Sequence, residues 1–256
     1  MKVVLKGFIL AFILSCIVRL PFFSQIPAGL NRDEAALGYN AFSILKTGRD
    51  EYGNPLPISI TSFGDQKLPG YVYTLILFIQ TFGLTPFATR LPSLLAGWVV
   101  LLAVGTLSFQ LAEGLNLRSS ARKFFPSIAR SLVAISPWGN HFSRTAYEAH
   151  LAMAAFLWGL VAYIHALAQP KHVKFFIVTA VLWSFALLTY HSYHILIPLL
   201  VLGFAILDGK MLSKIPHKTL LISFLIGGIT VFFLFVGGVL GGNVNKSEGI
   251  SPFHLD

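Results

Sequence analysis

Carboxylates are scarce in this chain: ten Asp and Glu face nineteen Lys and Arg over 256 residues. Cysteine is scarcer. Cys16 stands alone, which excludes an internal disulfide and a cysteine-based zinc cage. Charged residues make up only 11% of the chain and hydrophobic ones 55%, at a mean hydropathy of +0.73. So little charge excludes an ordinary soluble domain and points to a multispanning membrane protein. No Arg/Lys-rich tail interleaved with aromatics is present, so the net charge of +9 reads as basic loops at an inner membrane face and not as a nucleic-acid surface. There is no internal repeat and no low-complexity linker. The small residues Gly237/Gly241 and Gly238/Gly242 are not followed by Gly-Lys-Ser/Thr, so they read as close-packing positions, not as a phosphate loop. Asn245-Lys246-Ser247 is formally a glycosylation sequon.

What the chain does have is long apolar runs, near 7–23, 88–112, 124–140, 147–168, 173–190, 192–207 and 218–240. About 20 residues cross a hydrocarbon core at ~1.5 Å rise per residue. The first run, preceded by Lys2 and Lys6, has the look of a signal peptide, and Ile13-Leu14-Ser15-Cys16 faintly resembles a lipobox. The run continues past Cys16 and more spans follow, which favours an uncleaved anchor. The run at 71–83 is too short to span and reads as an interfacial or re-entrant helix. Basic clusters at Lys2/Lys6, Arg118/Arg122/Lys123, Lys171/Lys174 and Lys210/Lys214/Lys218 all fall on one side if 71–83 does not cross. The expected fold is therefore all-α and polytopic, with about seven transmembrane helices and the N-terminus inside. A first outer loop over 24–87 carries short interfacial helices, and a second begins at 241–256.

This topology sends every polar motif of interest to the outer side. Five of the carboxylates, Asp33, Glu34, Asp50, Glu51 and Asp65, lie in the first outer loop. Asn31-Arg32-Asp33 predicts a cap for a helix over 33–46, ended by the turn from Gly48 to Pro55. Asp33 and Glu34 have two readings: a general base or metal ligand, or a helix cap with a charge at the positive end of the dipole. Glu148, in FSRTAYEAH, enters a span, where an ionisable residue is a functional candidate with a partner expected. Arg144, four residues earlier, is the predicted partner on a helix, and a purely structural Arg144–Glu148 pair is the alternative. Lys67 reads either as a clamp on a lipid phosphate or as a snorkelling lysine. Asp65 and Tyr71 flank Lys67 and are candidate substrate contacts. His191 and His194 in TYHSYH could bind a phosphate or a metal, or simply sit at the interface.

The order of motifs resembles the integral-membrane glycosyltransferases of the GT-C class, in the bacterial branch with protein O-mannosyltransferases and the lipid A aminoarabinose transferase. The matching residues are Asp33-Glu34 after the first span, GYNAFSILKTGRDEYGNPLP, Asp65 to Tyr71, FGLTPFATRLPSLLAG and SPWGNHFSRTAYEAHLA. The likeness implies a single N-terminal module over 1–256, with a large outer loop and further spans expected beyond it. It implies a polyprenyl-phosphate-linked sugar as donor, a protein or lipid acceptor in the membrane setting, and an active site on the outer face of a bacterial or archaeal plasma membrane. It gives Asp33, with Glu34 beside it, the catalytic first-loop position, maps a second acid to Glu148, and puts the "Lys-Pro-Pro" base at Lys67. The donor phosphate would meet Lys67, Arg144 and His191. A divalent cation, Mg²⁺ or Mn²⁺, held by Asp33 and Glu148 is compatible with it. Two departures stand out: Glu148 replaces the Asp of many relatives, and Lys67-Leu68-Pro69 replaces Lys-Pro-Pro. A polytopic transporter and a non-catalytic fragment or subunit are the other classes. Clustering of the acids on one face argues against the first.

Overall fold

The computed structural model describes residues 2–169 and 174–240. Lys171, Gly241, Gly242 and the Asn245 sequon lie outside the described residues. Along the chain run α1 (Lys2–Arg19), α2 (Arg32–Thr47), β1 (Ile60–Ser62), β2 (Asp65–Lys67), α3 (Pro69–Phe82), α4 (Pro86–Gly114), α5 (Ser119–Ile135), α6 (Pro137–Ser143), α7 (Glu148–Ala168), α8 (Lys174–Leu187), α9 (Tyr193–Leu207), α10 (Gly209–Leu212) and α11 (His217–Leu240).

The fold is all-α apart from one small hairpin, but the expected seven spans are not what forms. Among the described residues three helices are long and apolar enough to cross a membrane: Pro86–Gly114, Glu148–Ala168 and His217–Val236. The physical reasons differ from run to run. The helix at the start carries three basic residues, Lys2, Lys6 and Arg19, within its 18 residues. The run at 124–140 is broken by Ser136-Pro137, so α5 has 17 residues and presents a strongly amphipathic face instead of a uniform apolar one. The two runs at 173–190 and 192–207 form α8 and α9 as separate helices, but at 14 and 15 residues both are short of a span. Pro69–Phe82, by contrast, forms the short non-spanning helix that its length predicts.

α4 is the organising helix. It packs against α3, α5, α6 and α7; α1 lies on α5, α7 on α8, and α8 on α11. Small residues set the close approaches. Gly97 of α4 faces Ser143 and His150, and Gly159 of α7 faces the Trp183 ring. The outward faces of α9 and α11 stay apolar, with Leu207 80% and Phe224 77% exposed, as lipid-facing surfaces require.

At one end of the bundle the loop segments collect. Asn31 caps α2 as expected, through a capping box with Glu34, and Gly48 in the left-handed region ends it. The β1–β2 hairpin, which periodicity does not announce, turns on Phe63-Gly64, both at positive φ, in the two-residue geometry that suits strand twist. The Arg32 guanidinium lies over the Phe63 ring, 5.4 Å from its centroid, so the hairpin tip is held to the start of α2.

Candidate functional site

Two arginines fix the loop end before any site chemistry begins. Arg144 donates to the carbonyls of Val18, Arg19, Pro21, Phe22 and Ile26, at 2.8–3.3 Å, and so closes the end of α1 and the loop after it. Arg90, fully buried in α4, donates to the carbonyls of Pro27 and Gly29 and forms a bidentate pair with Glu34, at 2.8 and 3.1 Å. The Glu34 carboxylate also accepts from the backbone N–H of Asn31 and of Ala146. One buried side chain thus ties α2, α4 and the α6–α7 connection together. Burial alone would raise the Glu34 pKa, but these donors outweigh it and hold the carboxyl below its ordinary range.

Asp33 and Glu34 therefore part company. Both Glu34 oxygens are occupied, which makes it a positioning residue. Asp33, next to it on α2, points the other way and is half exposed. Its Oδ1 accepts a hydrogen bond from Lys67 Nζ at 2.8 Å. The same ammonium stands 3.5 Å from Asp65 Oδ2 and feels the charge of Glu148 at the start of α7. Three carboxylates, from α2, β2 and the start of α7, thus act on one cation. Burial of Lys67 favours its neutral amine. The Asp33 hydrogen bond and the charges of Glu148, Asp33 and Asp65 overcome that and raise its pKa above the ordinary 10.5. Lys67 is a full ammonium at neutral pH. Its place follows from the hairpin register, Ile60 opposite Lys67, and from Gly70, whose N–H donates to Leu188 O at 2.8 Å and seats α3 against the α8–α9 turn.

Arg144 does not pair with Glu148. The helix on which an i, i+4 pair depends is absent, because α6 ends at Ser143 and α7 begins at Glu148. Tyr71 is fully buried; its hydroxyl meets Thr89 O and Ser93 Oγ, bracing α3 on α4, so it offers no surface to a substrate. His191 reaches the site rim, with Nε2 3.3 Å from the carbonyl of Gln66, next to Lys67. His194 Nε2 instead meets Leu187 O at 2.8 Å. Asp50 is spent on its own turn, accepting from Tyr52, Asn54 and the Asn54 side chain, and Glu51 braces Asn40. The residue that sequence reasoning missed is Arg90. Its signal was available, as a single cation inside the otherwise apolar stretch 86–112.

A divalent cation at Asp33 and Glu148 would compete with the Lys67 ammonium, which already pairs with Asp33 at 2.8 Å. Among the described residues no three Asp, Glu, His or Cys side chains gather as a metal site. The Lys67 ammonium itself supplies the positive charge between the carboxylates.

Beside the cluster lie two apolar cavities. One, of about 570 Å³, is lined by Pro69, Gly70, Tyr73, Leu77, Leu188 and Phe233 among others, and its wall begins at the foot of α3, two residues after Lys67 in the chain. The other, of about 520 Å³, runs between α3, α4, α7 and α8. No protein family, curated protein or solved structure matches this chain.

Proposed function

We propose that the chain is a membrane glycosyltransferase module that moves a sugar from a polyprenyl-phosphate donor to a hydroxyl or amine of a protein or lipid acceptor. The observation that carries this reading is the Lys67 ammonium, paired with Asp33 and Asp65 and under the charge of Glu148, on the strand that leads into α3, whose first turn lines an apolar cavity. A phosphate needs a fixed positive charge, a prenyl chain needs an apolar slot, and an acceptor proton needs a carboxylate. Lys67, the cavity at the foot of α3 and Asp33 are the groups that support these three roles.

In the proposed reaction the acceptor oxygen or nitrogen attacks the anomeric carbon. The bond from that carbon to the phosphate oxygen breaks, and its electrons leave with the polyprenyl phosphate. The acceptor proton passes to the free oxygen of Asp33, with inversion at the sugar. Asp33 Oδ1 is held by Lys67, which leaves Oδ2 for the proton. Glu148 is the second carboxylate, positioned to orient the acceptor. As the phosphate gains charge, Lys67 stabilises it without a change in protonation. Glu34 and Arg90 hold the helix that presents Asp33. In this reading the site end faces outward, from a bacterial or archaeal plasma membrane, with α1 entering from the cytoplasm.

The test is binding and transfer of a polyprenyl-phosphate hexose by the reconstituted chain. Asp33→Asn is expected to lower transfer by about 10²–10⁴ while donor binding persists. Lys67→Gln is expected to weaken donor binding itself. Unchanged transfer in Asp33→Asn ends the assignment of Asp33 as base. Movement of a lipid or solute across sealed vesicles, without new glycosidic bonds, replaces the transferase reading with a transporter.

A further inference from the structure

A third cavity, of about 700 Å³, has none of Asp33, Asp65, Lys67 or Glu148 in its wall. It follows α4 from Gly97 to Val104 and α7 from His150 to Leu157, with Leu196 of α9 closing one side. Seven residues at ~1.5 Å rise make it roughly 10 Å deep along the helices. The walls are apolar, and the polar groups gather at the end where α1 finishes and α6 sits.

That end is positively charged and has no counter-ion. Arg19 is fully buried there, and every acceptor it meets is neutral: Ser15, Ser143 at 3.0 Å, and the carbonyls of Ala134 and Val133 at 3.2 and 3.3 Å. His150 is 2% exposed; its Nε2 lies 3.2 Å from Ser143 Oγ, and its Nδ1 has no partner. Towards the other end of the cavity, beyond Val104, Arg130 is buried against Gly105 and over the Phe8 ring, with Nε and Nη1 lacking a hydrogen-bond partner. Among the described residues neither arginine has a carboxylate partner, and no acidic residue lines the cavity. Buried cations without a counter-charge are costly in an apolar surround. Trp138, 75% exposed at the same end, marks the level where an aromatic belt meets lipid headgroups.

We infer that this cavity seats one anionic glycerophospholipid of the surrounding bilayer. An acyl chain lies along α4, α7 and α9, and the phosphate rests at the Arg19–His150 end, where it supplies the missing negative charge. Its size is that of a ligand pocket rather than a packing void. The inference stands apart from the transferase reading, because no residue proposed for transfer lines this cavity.

The experiment is native mass spectrometry of the full chain in a neutral detergent, titrated with phosphatidylglycerol, with phosphatidylcholine of the same chains, and with a polyprenyl phosphate. One phosphatidylglycerol is expected to stay bound, at least about tenfold more tightly than phosphatidylcholine, a difference of 1.4 kcal/mol or more. Leu196→Trp and Met153→Trp, which fill the slot from two helices and replace side chains that are not fully packed in the core, are expected to abolish that preference while keeping the wild-type melting transition. Equal retention of the two headgroups in the wild type overturns the proposal without reference to any variant. Undiminished phosphatidylglycerol binding in both filled variants overturns the location. Displacement by polyprenyl phosphate at lower concentration reassigns the cavity to the donor lipid.

Discussion

Replacing Arg90 with Met tests the framework on which the site rests. Arg90 and Glu34 have side-chain exposures of 0% and 2%, and they form a bidentate pair at 2.8 and 3.1 Å. The substitution keeps most of the side-chain volume but strands the Glu34 carboxylate with only the N–H groups of Asn31 and Ala146. It also frees the carbonyls of Pro27 and Gly29. Breaking a buried pair from one side costs about 3–5 kcal/mol, because the remaining charge stays in low dielectric. At about 1.4 kcal/mol per decade, the unfolding equilibrium shifts by about 10²–10⁴. Reversible unfolding in mixed micelles, followed by tryptophan fluorescence, reads this directly. The double variant Arg90→Met/Glu34→Gln carries no stranded charge and should recover at least about 1 kcal/mol of the loss. pH gives an independent check. The folded-state pKa of Glu34 lies below its ordinary 4.5, so the unfolded chain binds the proton more readily. The contribution of the pair is complete above that ordinary value and is lost as pH falls through the lower folded one. Glu34→Gln should remove this acid-side slope. A single variant within about 1 kcal/mol of wild type, or a double variant no more stable than the single, refutes the argument.

Three other outcomes follow from the same geometry. Lys67→Gln leaves Asp33, Asp65 and Glu148 without their shared cation and should cost about 1.5–3 kcal/mol in the same unfolding assay, the worth of a charge-assisted hydrogen bond; a variant as stable as the wild type refutes the pairing. Arg144→Ala releases five carbonyls and should speed amide exchange across residues 18–27 by about 10–100-fold, as expected for losing about 1.5–3 kcal/mol of charge-assisted hydrogen bonding. Gly70→Ala drives a methyl group against the Leu188 carbonyl and Thr189, and should cost about 1–3 kcal/mol in the same unfolding assay while displacing the Lys67 hairpin.

Local chemistry was legible in the sequence, and tertiary pairing was not. Asn31 announced its helix, Gly48 its end, and the brevity of 71–83 its failure to span. Each of these depends on a few adjacent residues. The span count went astray for two reasons: Ser136-Pro137 cuts a run that looks continuous, and the separate runs at 173–190 and 192–207 form helices of only 14 and 15 residues. At the site, Asp33, Lys67 and Glu148 were each visible as polar residues beside apolar runs, but their convergence on one cation depends on hairpin register and on the seat of Gly70. The Arg144–Glu148 pair failed for a related reason: i, i+4 spacing carries meaning only inside a helix, and Arg144 lies between two.

Arg19, Arg90 and Arg144 also change what the basicity of this chain means. A charge of +9 read from composition looks like surface, available to polyanions, to trypsin and to arginine-selective dicarbonyl reagents. Arg19 and Arg90 are sealed inside, and the guanidinium of Arg144 is wrapped in main-chain oxygens. In the native protein these three belong to the scaffold. A chemical footprint would find them silent until the loop end comes apart, so their sudden reactivity would report the first stage of unfolding.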